Sequence, residues 1–314
     1  MKRNMFIVVL TSTITLLTIL IGIIVNRIYN NSIKIKQQKT YIESINAKLT
    51  SAETSNNNDN NNNIAKEISV QKNDNNKKVD DRKEEINKKI NLYGKNTSGV
   101  PVLMYHFFYD SSLKEKGIDN NYLEISKFEQ HLKYLKENDY FFPTFEELEL
   151  YIDGKLELPA KSIILTIDDG SESFFRLAIP VVEKYKVPIT SFIITSACNY
   201  NIDDYKSEFV HFESHSDNMH RAGKNGKGLF VNLDYNNAYK DIQNSIKFLN
   251  SHDAFCYPFG HYNNLSKKVL KDSNFKVAFT TNAGKVKVKS DKFALPRVRI
   301  SKDDTLNNFI AKIK

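Results

Sequence analysis

Ser162-Ile-Ile-Leu-Thr-Ile-Asp-Asp-Gly170 is an apolar run that ends abruptly in two carboxylates and a glycine. Such a short, continuous apolar run reads as a strand buried on both faces, and the Asp-Asp-Gly after it as a turn. Outward from this stretch the same alternation recurs. Upstream, Val100–Tyr105 reads as a buried strand, and Ser126-Lys-Phe-Glu129 as a capping box opening a helix with Phe128, Leu132 and Leu135 on one face. Thr144-Phe-Glu-Glu147 opens a second helix in the same way. Downstream, Phe174–Tyr185 carries Leu177, Ala178, Val181 and Val182 at helical spacing, and Pro188–Thr195 reads as a strand. Strands are expected at 209–213, 254–257 and 277–280, and helices at 234–250, at 265–272 and from Asp303. Strands alternating with helices predict an α/β domain with a parallel sheet, open or closed into a barrel. Reactive groups in such folds gather at the C-terminal ends of the strands.

The rest of the chain separates sharply from this domain. Of 314 residues, 40% are hydrophobic and 26% charged, a composition suited to a packed core. The net charge of +8 is unevenly distributed: residues 1–98 hold 16 Lys and Arg against 9 Asp and Glu, residues 99–314 hold 29 against 28. The basic excess lies outside the expected core, which argues against a nucleic-acid-binding domain. Two cysteines, Cys198 and Cys256, exclude a disulfide scaffold and read as buried thiols. Met5–Val25 is an uncharged, Ile/Leu/Val-rich run of 21 residues, long enough as a helix to span roughly 30 Å of bilayer core. It ends without a small-x-small site, so residues 1–29 are read as an uncleaved membrane anchor, a cleaved signal peptide being the alternative. Residues 30–98, with runs such as Ser51-Ala-Glu-Thr-Ser-Asn-Asn-Asn, read as a disordered Asn/Lys-rich linker, and 99–314 as the folded domain.

Two strand ends carry the candidate chemistry. Asp168 and Asp169 are adjacent, so their side chains diverge: one is suited to hold a cation, the other to face water or substrate. The alternative is that one merely caps the following helix. His215-Ser-Asp-Asn-Met-His220 follows the strand at 209–213. Two imidazoles and one carboxylate leave a coordination position open on a divalent metal, as catalytic sites require. A spacing of five does not place two side chains on one helix face, so a loop is required, and Asp217 is a rival ligand within it.

Together these segments resemble the NodB-type polysaccharide deacetylases, carbohydrate esterase family 4. Thr166-Ile-Asp-Asp-Gly170 resembles the family's first motif, and His215-Ser216 with His220 resembles its second with one extra residue. That variant, with Pro101-Val-Leu-Met-Tyr-His106 at the domain start, is similar to the poly-β-1,6-N-acetylglucosamine deacetylase subgroup. Tyr257-Pro-Phe-Gly260 resembles the third motif and Leu295-Pro-Arg-Val-Arg-Ile300 the closing segment. The resemblance implies a distorted (β/α) barrel of the NodB type behind a single transmembrane helix. It implies that Asp169, His215 and His220 hold a divalent metal, commonly Zn2+, that Asp168 is the general base and that His106 is the general acid. Phe259 would stabilise the oxyanion through its backbone N–H, and Tyr257 and Arg297 would lie with it on the substrate side. Cys256 stands where the family usually has an arginine holding the base; Arg297 or Arg299 would supply that charge instead. His131, His211, His252 and His261 fall on no motif position.

The expected function is therefore metal-dependent N-deacetylation of an extracellular polysaccharide by a single-pass protein whose catalytic domain lies outside the cytoplasm. Poly-β-1,6-N-acetylglucosamine is the first substrate and the glycan of peptidoglycan the alternative. Partners would be the polymer and, through the anchor, the membrane, with no nucleic acid and a monomeric domain. The rival from another class is an inactive glycan-binding protein. The presence of base, acid and metal ligands together counts against it.

Overall fold

A computed structural model of the chain describes residues 80–113 and 116–314. The anchor at 1–29 and the linker up to residue 79 lie outside the described residues. Among the described residues, no helix is long and apolar enough to cross a membrane.

The first described element, α1, spans 80–93. It corrects the C-terminal end of the expected linker, because residues 80–98 belong to the folded unit. Ile86 is buried in a cluster with Phe141, Leu148 and Ile152. Arg82 meets Glu147 through Nε and Nη2, at 2.7 and 2.9 Å, and its guanidinium lies 4.1 Å from the centroid of the Phe141 ring. The polar bias of this segment hid a single buried stripe.

The barrel begins with β1 (Val102–Tyr105), and a two-stranded parallel sheet of β2 (Phe107–Tyr109) and β3 (Tyr122–Glu124) stands apart from it. Next come α2 (Ile125–Glu137) and α3 (Phe145–Ile152). The N-cap of α2 is Glu124, whose carboxylate accepts the N–H groups of Ser126 and Lys127, so the expected box at Ser126 starts two residues late. The box at Thr144 and Glu147 is present as expected. Then follow β4 (Ile164–Ile167), a π-turn at Phe174–Ala178 running into α4 (Ile179–Tyr185), β5 (Ile189–Ile193) and β6 (Val210–Ser214). The chain finishes with α5 (Tyr235–Leu249), β7 (Ala254–Cys256), α6 (Asn264–Asp272), β8 (Val277–Ala283), β9 (Leu295–Arg299) and α7 (Leu306–Ile313).

Seven strands close in the order β1-β4-β5-β6-β7-β8-β9, every pairing parallel. The closure is uneven. β6 and β7 share one register pair, Ser214 with Phe255, and β8 slips against β9 between Phe279 and Ala283. These irregularities account for the distortion of the barrel. Its interior packs Val102, Ile164, Phe192, Ala254, Val277, Phe279 and Leu295. The amphipathic helices cover the outside, α5 for example burying Ala238, Ile242, Ser245 and Leu249 at intervals of four, three and four.

Candidate active site and metal centre

The chemistry-bearing residues converge at the C-terminal ends of β1, β4, β6 and β7, with Arg297 reaching them from the middle of β9. Asp168 and Asp169 follow β4 directly, and the chain turns sharply there: φ is +72° at Asp169 and +62° at Gly170. The left-handed φ at Gly170 is what calls for glycine there, since the nearest neighbour of an added Cβ would be Ile193 Cδ1, the movable end of a side chain. The turn splits the two carboxylates, as adjacency predicts.

Asp169 faces the two histidines. Its Oδ1 lies 3.4 Å from His215 Nε2 and 3.3 Å from His220 Nε2, and the three donor atoms all fall within 4.8 Å of one another. Asp169 Oδ1 is buried and accepts no hydrogen bond. An orphaned carboxylate oxygen flanked by two imidazole nitrogens is costly unless a cation fills the space between them. His215 Nδ1 lies 2.7 Å from the carbonyl of Cys256; donation there leaves the Nε2 lone pair for a metal. Burial opposes positive charge on His215, and the Asp169 and Asp168 carboxylates beside it pull its pKa the other way, above the ordinary value. The donor set, one carboxylate and two imidazoles, fits a divalent metal. Asp217 is not part of it: its Oδ1 accepts the Thr195 hydroxyl at 2.6 Å.

Asp168 faces the barrel axis and is held by Arg297. Nη1 reaches Oδ1 at 2.7 Å and Nη2 reaches Oδ2 at 2.6 Å, a bidentate pair with both partners buried. Arg297 also donates from Nε to the Thr280 carbonyl at 2.9 Å and from Nη1 to Thr166 Oγ1 at 3.0 Å, and its Nη2 lies 3.1 Å from Cys256 Sγ. Burial alone would raise the pKa of Asp168, but the charge and hydrogen bonds of Arg297 hold it well below the usual carboxylate range. Arg297 is 1% exposed, so it does not touch substrate, and its placement on the substrate side is corrected: it anchors the carboxylate from below. Arg299 points elsewhere, to Asn121. Cys256, in the vacated arginine position, donates its thiol to Asp168 Oδ2 at 3.5 Å.

His106, one residue past β1, places Nε2 3.8 Å from Asp168 Oδ2. Its Nδ1 is buried without a partner. Burial pushes its pKa below the ordinary value against the opposing pull of Asp168 and Asp169, so the ring rests neutral at neutral pH. Phe259 occupies a left-handed position, φ +59°, in the turn after β7, and its half-exposed ring lies 4.4 Å from that of His220. Tyr257 is not on the substrate side. It is fully buried, with its hydroxyl donated to the Phe293 carbonyl at 3.1 Å, because apolar packing around α6 claims the ring. A cavity of 440 Å3 lined by Ile164, Thr190, His211 and Glu213 opens at the strand starts, the opposite end from this cluster.

The chain is similar to known proteins. The polysaccharide deacetylase family profile matches residues 155–278, which include Asp168, Asp169, His215, His220 and Phe259 but neither His106 nor Arg297. A poly-β-1,6-N-acetyl-D-glucosamine N-deacetylase of Staphylococcus aureus (strain MRSA252) is 31% identical over 224 residues, 66% of this chain and 76% of that protein. The chain belongs to the polysaccharide deacetylase family. The structure of the Streptococcus pyogenes deacetylase PplD in complex with acetate is similar at a TM-score of 0.61 and 26% identity, covering 69% of this chain and 98% of that one. IcaB from Ammonifex degensii shares the fold at a TM-score of 0.59 and 23% identity, with 69% and 98% covered. The deacetylase is thus a hydrolase of N-acetyl groups on a polysaccharide, built on a parallel α/β fold. Two features of this deacetylase site escape motif spacing: the choice of Arg297 over Arg299, and the carboxylate of Asp241, which takes the N–H groups of Asp217 and Asn218. The empty arginine position at Cys256 was the one pointer in the sequence to the first.

Proposed function

We propose that the chain removes N-acetyl groups from poly-β-1,6-N-acetylglucosamine, with Asp169, His215 and His220 holding a zinc ion. The observation that carries this reading is the pairing of two carboxylates with separate tasks: Asp169 open toward two imidazoles, Asp168 clamped by Arg297. The similarity to the Staphylococcus aureus protein supports the polymer. When bound, the metal would polarise the acetyl carbonyl and increase the acidity of water. Asp168, ionised and aimed by Arg297, takes the proton of the attacking water. The backbone N–H of Phe259 donates to the developing oxyanion. His106, close to Asp168 and neutral at rest, takes over the proton that Asp168 removed from the water and delivers it to the departing amine. Because the polymer lies outside the cytoplasm, we place the catalytic domain there, tethered by residues 1–29 and the linker that follows, and acting as a monomer.

The test measures acetate released by the full chain from poly-N-acetylglucosamine and from peptidoglycan, alongside Asp168→Asn and His106→Ala. Release from the first polymer, lost in Asp168→Asn, supports the reading. Release from peptidoglycan alone would reassign the substrate, and release from neither would leave the proposed substrate without support. Protease added to intact cells should cleave the C-terminal domain, and full protection would overturn the extracytoplasmic placement.

A further inference from the structure

We propose that Asp241, on α5 and outside every motif, is a positioning residue that sets the geometry of the two histidines and thereby the affinity of the metal site. The proposal rests on the reading of Asp169, His215 and His220 as ligands. Five residues along a regular helix turn a side chain by about 140°, which would point His220 away from His215. The segment between them is instead a bent loop with φ of +75° at Ser216. Asp241 holds that bend. Its Oδ1 accepts the Asp217 N–H at 2.8 Å and its Oδ2 accepts the Asn218 N–H at 2.9 Å, a two-point grip on consecutive backbone donors. Other ties converge on the same turn. Met219 N donates to Ser216 Oγ at 3.1 Å, Ser196 N donates to the Asp217 carbonyl at 3.1 Å, and Thr195 occupies the Asp217 carboxylate. Met219, next to His220, is buried in one cluster with Ala238 and Ile242, which flank Asp241 on α5.

The two histidines depend on this grip unequally. His215 is secured independently, by the end of β6 and by the Cys256 carbonyl. His220 lies beyond the bend and follows wherever the loop goes. Loss of the Asp241 carboxylate frees two backbone donors, relaxes the turn and moves His220 Nε2 relative to His215 Nε2.

The experiment titrates the metal-free full chain with cobalt(II), following its visible absorption, and with zinc against a competing chelator. It compares Asp241→Ala, Asp241→Asn and His220→Ala with Asp234→Ala, which removes the N-cap of the same helix without touching the loop. Asp241→Ala is expected to weaken metal binding about 10–100-fold and to change the cobalt band. Asp241→Asn, which keeps one acceptor, should fall between it and the parent and carries the test if the alanine variant does not fold. Asp234→Ala should lower the melting temperature of the metal-free protein and leave metal affinity unchanged. Parental cobalt affinity and spectrum in both Asp241 variants, with binding lost in His220→Ala, would overturn the proposal and leave the ligand set standing. Undiminished cobalt binding in His220→Ala would overturn the ligand set itself, and the proposal with it.

Discussion

At the scale of single residues, the buried pair of Arg297 and Asp168 dominates the chemistry. Arg297→Met would leave a carboxylate uncompensated inside the barrel, a change that costs about 3–5 kcal/mol in comparable buried pairs. We expect a lower melting temperature and a loss of acetate release of at least about 100-fold, since a buried Asp168 without Arg297 favours its protonated form. Arg297→Lys restores charge but not the two-pronged geometry, so its activity should lie between the two. His131 carries a prediction of another kind. It is fully buried, with Nδ1 3.1 Å from the Tyr105 hydroxyl, its ring stacked 3.9 Å from Phe309, and Nε2 without a partner. Burial lowers its pKa from 6.5 to about 3. Between these values the unfolded chain binds a proton that the folded chain does not, so stability falls as pH drops from about 6.5 toward 3. The slope from this group is at most about 1.4 kcal/mol per pH unit. Denaturant unfolding across that range should show the decline, and His131→Gln, which retains a partner for Tyr105, should flatten it.

At the scale of elements, α1 acts as a plug rather than a spacer. Its buried Ile86 and the Arg82–Glu147 pair connect it to α3, and Arg82 also donates to the Phe142 carbonyl at 2.7 Å. Ile86→Ala should destabilise the fold by about 2–4 kcal/mol, the usual range for emptying a buried aliphatic site. A chain starting at Gly99, the boundary drawn from composition, should melt below one starting at Asp80, and equal melting temperatures would show α1 to be dispensable. Composition misplaced that boundary because α1 buries little: a helix needs only one apolar stripe, and the surrounding Asn, Lys and Glu residues mask it. The helix at Thr144 was readable because both halves of its capping box are local. The N-cap at Glu124 was not, because Glu124 also ends the separate strand β3, and nothing in the local spacing announces that strand.

For the whole molecule, the barrel brings the ends of β1, β4, β6 and β7 together with the middle of β9, and the site exists only in the folded state. A metal held there by Asp169, His215 and His220 therefore stabilises the entire domain. At a free concentration 100 times Kd the gain is about 2.7 kcal/mol. Adding zinc to chelator-treated protein should raise its melting temperature. His215→Ala should abolish that rise, and an unchanged shift in this variant would place the metal elsewhere.

The order of strands and helices could be read along the chain, because periodicity of burial is a local property, and the segments holding Asp168, Asp169, His215 and His220 could be picked out as candidates from their residue types and family resemblance. The structure brings the donor atoms of Asp169, His215 and His220 within 4.8 Å of one another. Arg297, Tyr257 and Asp241 could not be resolved that way. Arg297 lies 129 residues from Asp168 and becomes its partner only because β9 pairs with β1, which pairs with β4. Tyr257 sits within a site motif, yet packing around α6 turns its ring into the core. Asp241 belongs to a helix that reads as ordinary surface until the barrel sets it beneath the loop of the two histidines. Side-chain partnerships across the closed sheet depend on closure itself, and no local pattern encodes it.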